Sequence, residues 1–419
     1  MKIAKFRAFS LAFTFATAIV SMTVGMTVAT ARADARVDAR VAARVAARVD
    51  ARVADTGAPL PVGLASPKVY IFPLSGQMGT DISLPIVQTL IDDVKKQKPD
   101  ILVLKLKSAD IDRINHLNND NPVEFGLVGE ITNYRDMVDK IHQDLSSIPQ
   151  VMWIEDSVGV SGLVGLAWER MYMSSDARLG GLYQFKNMVE AQWTDADIRS
   201  KMVAAWTGIM KGLVQLGHYP DQLADAMIFE ERTLSVSFES RGAKFVGDTS
   251  GQWVVDSSTD RPVSFEAPLA EEILLSDGTV DTIDDLVFLL GYREFTKVDT
   301  GEKIAKQYTD DWRKGMKNVL QWMEEAGDTE DSIAGLGKRK SLYEKVVAAL
   351  KAYPCIEKRR EMQQQGVTRQ ASEGAIDDIK KDIQRQRDAE KGGKSGGGGG
   401  GGGGKGLGGG GMGRPKGQG

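Results

Sequence analysis

Ser157 and Ser161 are the residues of this chain whose type and position in a turn could carry out nucleophilic chemistry. Both serines lie between Pro149 and Gly181, where an apolar run is followed by a tight Gly/Ser turn and a segment of small residues. This order predicts a short strand, a turn and a helix, an arrangement in which enzymes often place a nucleophile at the start of the helix.

Other kinds of chemistry find little support in the sequence. The three histidines, His116, His142 and His218, lie outside the turn segment and follow no recognisable Ser-His-Asp order. We find no metal-ligand cluster and no phosphate-binding loop, so we predict no metal and no other cofactor. The 57 acidic and 53 basic residues nearly balance, which gives no reason to expect nucleic acid as a partner. The sequence therefore suggests neither a Ser-His-Asp triad nor a metal centre.

The elements that must position these residues follow an alternating pattern that begins at Lys68. Short apolar runs predict strands, and the amphipathic segments between them predict helices. The strands are predicted at Val69–Leu74, Ile101–Leu106 and Val151–Ile154. Such alternation is typical of a mostly parallel sheet joined by right-handed crossovers, so we predict an α/β fold.

Two segments within this pattern are predicted to be loops. Residues 112–130 contain an Asn-Asn-Asp-Asn-Pro run and look like an insertion, and residues 183–198 have few apolar anchors. Helices are predicted beyond them, starting at Lys201, spanning Asp221–Ile228, and spanning Ile283–Leu290 after a Thr282 cap and before Gly291.

The N-terminal residues predict export. Basic residues begin the chain, an uncharged apolar run follows from Ala8 to Val28, and A-x-A cleavage motifs end at Ala31 and Ala33. We predict a signal peptide over residues 1–33 and a periplasmic or envelope-associated bacterial protein. The alternative is an uncleaved membrane anchor, because an apolar run of about 20 residues can span a bilayer. Contact with a membrane is expected only in that case.

Three further regions flank the α/β domain, which we place at residues 68–298. Residues 34–67 are a linker that opens with Ala-Arg-Val repeats, whose period of four spreads valine and arginine around a helix and cannot bury a core. Residues 299–391 are predicted to be helical, with stripes typical of core or coiled-coil contacts, although Ala375–Lys391 has too little apolar surface to pack tightly. Residues 392–419 are nearly pure glycine and are predicted to be disordered.

Three stretches of the α/β domain resemble one family. GVSGLVGLAWERMYMSSDARLGG, from Gly159 to Gly181, is similar to the nucleophile helix of the ClpP/crotonase fold in its SppA and NfeD (membrane-bound ClpP-class) peptidase branch. Lys201–Ile228 resembles the family helix that opens with the catalytic lysine, and Leu274–Gly291 resembles the family's closing segment. The resemblance covers roughly residues 68–294. It implies a ClpP/crotonase-like core of repeated ββα/βαβ units, serine endopeptidase chemistry with a Ser/Lys pair, and a homo-oligomer.

This chain departs from the family at two positions. In an ungapped alignment the family serine falls on Gly159, and Ser161 or Ser157 could replace it only if the turn slipped by two residues. Two residues in a helix correspond to about 200° of rotation, so Ser161 should not share the direction of Gly159. In the oxyanion region the family glycines are replaced by Asp110 and Ile111, and a carboxylate there would repel an oxyanion.

Three functions stay open from the sequence. The first is a degenerate SppA/NfeD-type domain, a pseudoenzyme that binds peptide or protein segments without efficient hydrolysis. The second is an active peptidase that uses Ser161, or Ser157, with Lys201. The third is a structural envelope protein that acts through its helical C-terminal region. The two departures favour the first, and the sequence leaves undecided whether the chain is an enzyme.

Overall fold

The computed structural model describes residues 58–108, 131–182, 185–239 and 242–394. The described chain forms two compact units, one of residues 58–315 with Tyr353–Gln365 and one of residues 316–352 with 366–394. The first unit continues past residue 298, the predicted boundary of the α/β domain. The predicted signal peptide, the Ala-Arg-Val repeats, the predicted insertion and nearly all of the glycine-rich tail lie outside the described residues.

The first unit is organised around a sheet for which seven strands are described, in the order β10-β1-β2-β3-β5-β9 with β4 also paired to β3. These strands are β1 (Lys68–Ser75), β2 (Ile101–Lys107), β3 (Gln150–Val158), β4 (Met171–Met173), β5 (Arg178–Gly180), β9 (Ser264–Glu266) and β10 (Thr296–Val298). All neighbours run parallel except β9, which is antiparallel to β5. A separate antiparallel sheet contains β6 (Leu234–Glu239), β7 (Gly242–Val246) and β8 (Trp253–Asp256).

Helices connect and cover these strands. In the first unit they are α1 (Leu84–Gln97), α2 (Ile131–Asp144), α3 (Val160–Gly165), α4 (Phe185–Gln192), α5 (Ala196–Leu216), α6 (Asp221–Ile228), α7 (Ala267–Glu272) and α8 (Ile283–Leu289). The C-terminal region contains α9 (Thr300–Gly327), α10 (Ile333–Ala352), a 3₁₀ turn (Pro354–Lys358), α11 (Arg360–Gln364) and α12 (Arg369–Lys394). The predicted α/β class, with a mainly parallel sheet and a helical C-terminal region, is confirmed.

The core lies on both faces of the parallel strands, which explains why their sequences are continuous apolar runs. On β1, Tyr70 and Phe72 belong to the larger core cluster, whereas Val69 and Ile71 point to the opposite face and belong to a smaller one. All four are at most 1% exposed. The three strands predicted from apolar runs are therefore buried on both sides, and they hold the carboxyl end of β3 in a fixed position.

The predicted loop at residues 183–198 is wrong, because α4 and the first turn of α5 lie there. Phe185 and Val189 of α4 are buried. The Phe185 ring lies 6.4 Å from the Trp206 ring and 6.1 Å from the Phe229 ring, and Trp193 packs edge-on against Trp206 at 5.2 Å. A few large aromatic side chains anchor the segment in place of a longer apolar stripe.

The second unit also corrects a prediction. The charged C-terminal helix α12 packs against α10, and it buries Ser372, Ile376 and Ile379 at helical spacing. The exposed ion pair Lys351–Glu373 also joins the two helices. No helix in the part of the chain that the structure describes is both long enough and apolar enough to cross a membrane.

Candidate functional site

The carboxyl end of β3 turns directly into α3 at Gly159. This residue precedes the first helical residue and has φ 79° and ψ −137°, a conformation that residues with a Cβ rarely adopt. Its N–H donates to the carbonyl of Gly180 on β5 at 3.1 Å. Nucleophilic serines of α/β hydrolases occupy sharp, strained strand-to-helix turns of this general kind. In this chain the strained position is occupied by a residue without a side chain.

Close backbone contacts explain why the helix after this turn is rich in small residues. A Cβ added to Gly162 would lie 2.3 Å from the carbonyl oxygen of Gly180. A Cβ added to Gly165, one turn further along, would lie 3.0 Å from Ile154 and 3.2 Å from Leu106. All six residues of α3 are buried. The glycines therefore let α3 sit directly on β5 and on the central strands.

Ser157 and Ser161 lie on either side of the turn, and their hydroxyls face inward. Ser157 Oγ donates to Ser161 Oγ at 2.9 Å, and Ser161 Oγ donates to the carbonyl of Val158 at 3.0 Å. Both residues are 0% exposed. A hydroxyl in this arrangement has a backbone carbonyl as its acceptor and no route to solvent. Neither serine reaches a cleft in this conformation.

Lys201 lies in the N-terminal half of α5, a helix that packs against α3. The residue is exposed. Among the described residues, Lys201 forms no hydrogen bond with Ser157 or Ser161, whose hydroxyl partners are each other and Val158. A general base must lie within about 2.6–3.2 Å of the proton that it removes, or reach it through one water. The structure thus brings the two serines together and leaves the lysine in solvent.

Asp110 and Ile111, the predicted oxyanion residues, lie outside the described residues. The last described residue before them, Ser108, belongs to the same edge of the sheet as the turn. Its N–H donates to the carbonyl of Asp156 on β3 at 2.9 Å, and its Oγ donates to the carbonyl of Gly76 at 3.0 Å. The ends of β1, β2 and β3 are therefore joined by hydrogen bonds at this edge.

The loop after β1 is held at this edge by Asp81, a residue that sequence reasoning missed. Its side chain is 2% exposed. One carboxylate oxygen accepts from Trp312 Nε1 and from Thr309 Oγ1, each at 3.0 Å, and the other accepts from Gln77 N at 3.0 Å. Arg313 adds an ion pair at 3.4 Å. The segment 309–313 of α9 is thus fixed to the edge that carries the candidate site.

Charged pairs next to the turn were also missed. Arg178 on β5 donates to both oxygens of Asp156, at 3.2 and 2.8 Å. Glu155 pairs with Lys105 at 2.9 Å and with Lys107 at 3.3 Å. Each of these carboxylates is therefore paired with a basic side chain on a neighbouring strand. The charged residues at the ends of β2 and β3 were a signal in the sequence that could have identified these ion pairs.

The segment that resembles the family's closing motif has a structural role here. Asp277 accepts a hydrogen bond from Met171 N at 3.0 Å, and the carbonyl of Gly278 accepts one from Met173 N at 3.1 Å. These bonds fix β4 beside β3. Thr282 then caps α8 by accepting from Asp285 N at 3.1 Å, as predicted, and Gly291 follows the helix with φ 97°.

No family model matches the chain, and no curated protein sequence matches it. Among solved structures, it is similar to a serine-to-alanine variant of the 1510-N membrane-bound stomatin-specific protease, with 13% identity over 56% of this chain and 99% of that chain, and a TM-score of 0.34. A lysine-to-alanine variant of that protease, in complex with a substrate peptide, gives 12% identity over 58% of this chain and 99% of that chain, and a TM-score of 0.34. Similarity of this degree assigns no activity to the chain.

Proposed function

We propose that this chain is an exported ClpP/crotonase-like protein of the SppA/NfeD type that binds peptide or protein segments without hydrolysing them. The proposal is supported by the three stretches that resemble the family, which fall on the strand–turn–helix at β3, on α5–α6 and on the α8 segment. The observation that carries it is the turn itself. Gly159 occupies the strained position, and the hydroxyls of Ser157 and Ser161 are buried and hydrogen-bonded inward.

The absence of hydrolysis follows from what serine chemistry requires. A serine must present its oxygen to a carbonyl, and a base must take the proton at the same moment. Here the Ser161 hydroxyl donates a hydrogen bond to the Val158 carbonyl, which cannot act as a base, and Lys201 is exposed. Activating Ser161 would require breaking two buried hydrogen bonds and turning the side chain out of the core. The turn therefore supports the absence of hydrolysis, and the family resemblance supports the binding of peptide segments.

A fluorophosphonate probe tests the chemical half of the proposal. The purified full chain is incubated with the probe, with Ser161→Ala and Ser157→Ala as matched variants and a serine peptidase as positive control. We expect no labelling of the wild-type chain. Labelling that disappears in either variant would establish an active serine and overturn the proposal in favour of a Ser/Lys peptidase.

Fluorescein-labelled β-casein, an unfolded polypeptide, tests the binding half. We expect its fluorescence anisotropy to rise as the protein is added, while mass spectrometry finds the casein intact after prolonged incubation. Absence of any anisotropy change would contradict a role in binding unfolded segments. Deleting residues from Thr300 onward is not a suitable control, because α9 up to Gly315 and residues 353–365 belong to the first unit.

Export and assembly complete the proposal, and each has its own measurement. N-terminal sequencing of the protein recovered from the cell envelope is expected to begin at Arg32 or Asp34. A chain that begins at Met1 and fractionates with membranes would indicate an anchor instead. Light scattering of the mature protein is expected to give the mass of a homo-oligomer, and a monomer mass would contradict the assembly.

A further inference from the structure

A pocket of about 130 Å³ lies at the end of the sheet opposite the turn. It is formed where four elements end: the end of α2, the start of β3, the segment before β4 and the end of α5. The side chains that matter for recognition are His142, Gln150, Trp168, Glu169, Arg170 and His218. None of these residues takes part in the turn at Gly159. Nothing in the proposed function uses this pocket.

One wall of the pocket is a pair of stacked rings. The His142 ring lies 4.8 Å from the Trp168 ring, with an angle of 20° between their planes. Trp168 Nε1 donates to Gln150 Oε1 at 2.7 Å, and His142 Nε2 lies 3.0 Å from the carbonyl of Ala167, to which it donates. Burial lowers the pKa of His142, so its ring is neutral at pH 7. The wall is therefore flat, fixed and uncharged.

Arg170 supplies the positive charge of the pocket. Within the described residues its guanidinium has no hydrogen-bond acceptor and no ion-pair partner, although the side chain is only partly exposed. A guanidinium is permanently charged, and its forked N–H groups match a carboxylate. His218 borders the same pocket in a left-handed backbone conformation, with φ 61°. The pocket thus contains an uncommitted donor set next to an aromatic wall.

Glu169 limits where an anion could lie. Its carboxylate also borders the pocket and would repel an anionic group placed beside it. A bound anion must therefore face Arg170 and turn its uncharged part towards the rings. An engineered cavity of about 150 Å³ takes up benzene. At about 130 Å³ this pocket is slightly smaller, so it has room for at most one ring.

We propose that this pocket binds a small aromatic carboxylate, with the carboxylate on Arg170 and the ring against His142, which is partly exposed and stacks on the buried Trp168. The site is distinct from the candidate site at Gly159. β3 rises about 3.3 Å per residue, so its two ends, Gln150 and Val158, are roughly 26 Å apart. Failure of peptide binding at one end of β3 would leave this site unaffected.

Isothermal titration of the full chain with benzoate tests the proposal, with benzamide as the uncharged analogue. We expect saturable binding of benzoate and about tenfold weaker binding of benzamide, because the charge-assisted bidentate contact is lost. Arg170→Met should weaken benzoate binding by about tenfold for the same reason. Glu169→Gln should strengthen it by about threefold, because a like charge is removed.

Arg135→Met is the matched control, since Arg135 lies on the same helix as His142 but pairs with Asp136 and Asp139 at the surface. It should leave benzoate affinity unchanged. Thermal melting of each variant checks that it is folded. Equal binding of benzoate and benzamide, or no binding of either, would overturn the proposal. If Arg170→Met does not fold, Glu169→Gln and the benzamide comparison decide the outcome.

Discussion

The two ends of β3 differ in how their polar side chains are paired. At the carboxyl end, β3 runs into a turn where the polar side chains have hydrogen-bond partners within the protein. At the amino end, it borders a pocket in which Arg170 has no hydrogen-bond acceptor and no ion-pair partner among the described residues. Ser157 and Ser161 bond to each other and to the backbone. Arg170, at the opposite end, is partly exposed and faces space for one ring. We call the turn at Gly159, where the sequence predicts chemistry, the closed end of β3. We call the pocket at Arg170, where the sequence predicts none, the open end.

This difference shows that a motif and a site are separate properties. The strand–turn–helix at Gly159 is held in shape because glycines allow α3 to pack on β5, and that packing does not depend on a reactive side chain. A turn of this shape can therefore be stable whether or not it carries a reactive group.

Among the substitutions that test this difference between the two ends of β3, Gly162→Ala should have the largest effect on stability. The added Cβ would lie 2.3 Å from the carbonyl oxygen of Gly180, a backbone atom that cannot move without shifting β5. We expect the free energy of unfolding to fall by about 3 kcal/mol, as for overpacked cores. Urea denaturation measures it.

Gly208→Ala is the matched control, because nothing lies within 4 Å of the added Cβ on the exposed face of α5. There the substitution should stabilise the chain by about 1 kcal/mol through helix propensity. Equal effects of the two substitutions would mean that the closed end of β3 is not tightly packed.

Asp81→Ala should have the next largest effect, because the sheet edge at the closed end depends on α9. Its loss leaves Trp312 Nε1, Thr309 Oγ1 and Gln77 N without their acceptor. We expect a loss of about 2 kcal/mol in the free energy of unfolding and faster hydrogen exchange of residues 76–83. Asp310→Ala, which removes a surface ion pair with Lys306, should change stability by less than about 0.5 kcal/mol. Unchanged exchange in Asp81→Ala would show that the loop is held by other contacts.

His142→Gln should have the smallest effect and concerns the open end. Burial lowers the pKa of His142 in the folded state, outweighing its bond to Ala167 and the charge of Asp139, which raise it. The unfolded state therefore binds the proton more readily, so the contribution of His142 is present above the unfolded pKa of about 6.5 and is lost as the pH falls through the folded value. Glutamine keeps a donor for the Ala167 carbonyl and does not titrate.

Thermal melting between pH 7.5 and pH 5 checks this prediction. The wild-type protein should lose stability more steeply on acidification than His142→Gln. Identical slopes would mean that the ring at the pocket wall is as well hydrated as in the unfolded chain.

Much of the fold could be predicted from the sequence because its signals are local. The apolar runs from Val69 and Ile101 mark strands buried on both faces, and α6 spans Asp221–Ile228 as predicted. Thr282 caps its helix because a cap needs only the next three residues. Near Phe185 a few large aromatic rings anchor a helix that has no apolar stripe, so hydrophobic periodicity did not predict that helix.

The site and the pocket depend on contacts that no local pattern contains. Asp81 lies in a Gly-Thr-Asp segment that predicts a turn, but its partner Thr309 is 228 residues away. The pocket joins His142 and His218 from the ends of two helices. The direction of the Ser161 hydroxyl depends on the carbonyl of Val158, an acceptor that every residue offers.

The same long separation has a consequence for synthesis. β1 is paired on one side by β10, and its following loop is fixed by residues of α9, so both partners leave the ribosome long after β1. At 5–20 residues per second, the 228 residues between Asp81 and Thr309 take roughly 10–50 s to translate. During this interval the nascent chain has an unpaired β1 edge of apolar residues, which is a template for pairing with another chain. A chaperone that shields strand edges would protect the protein most in that period.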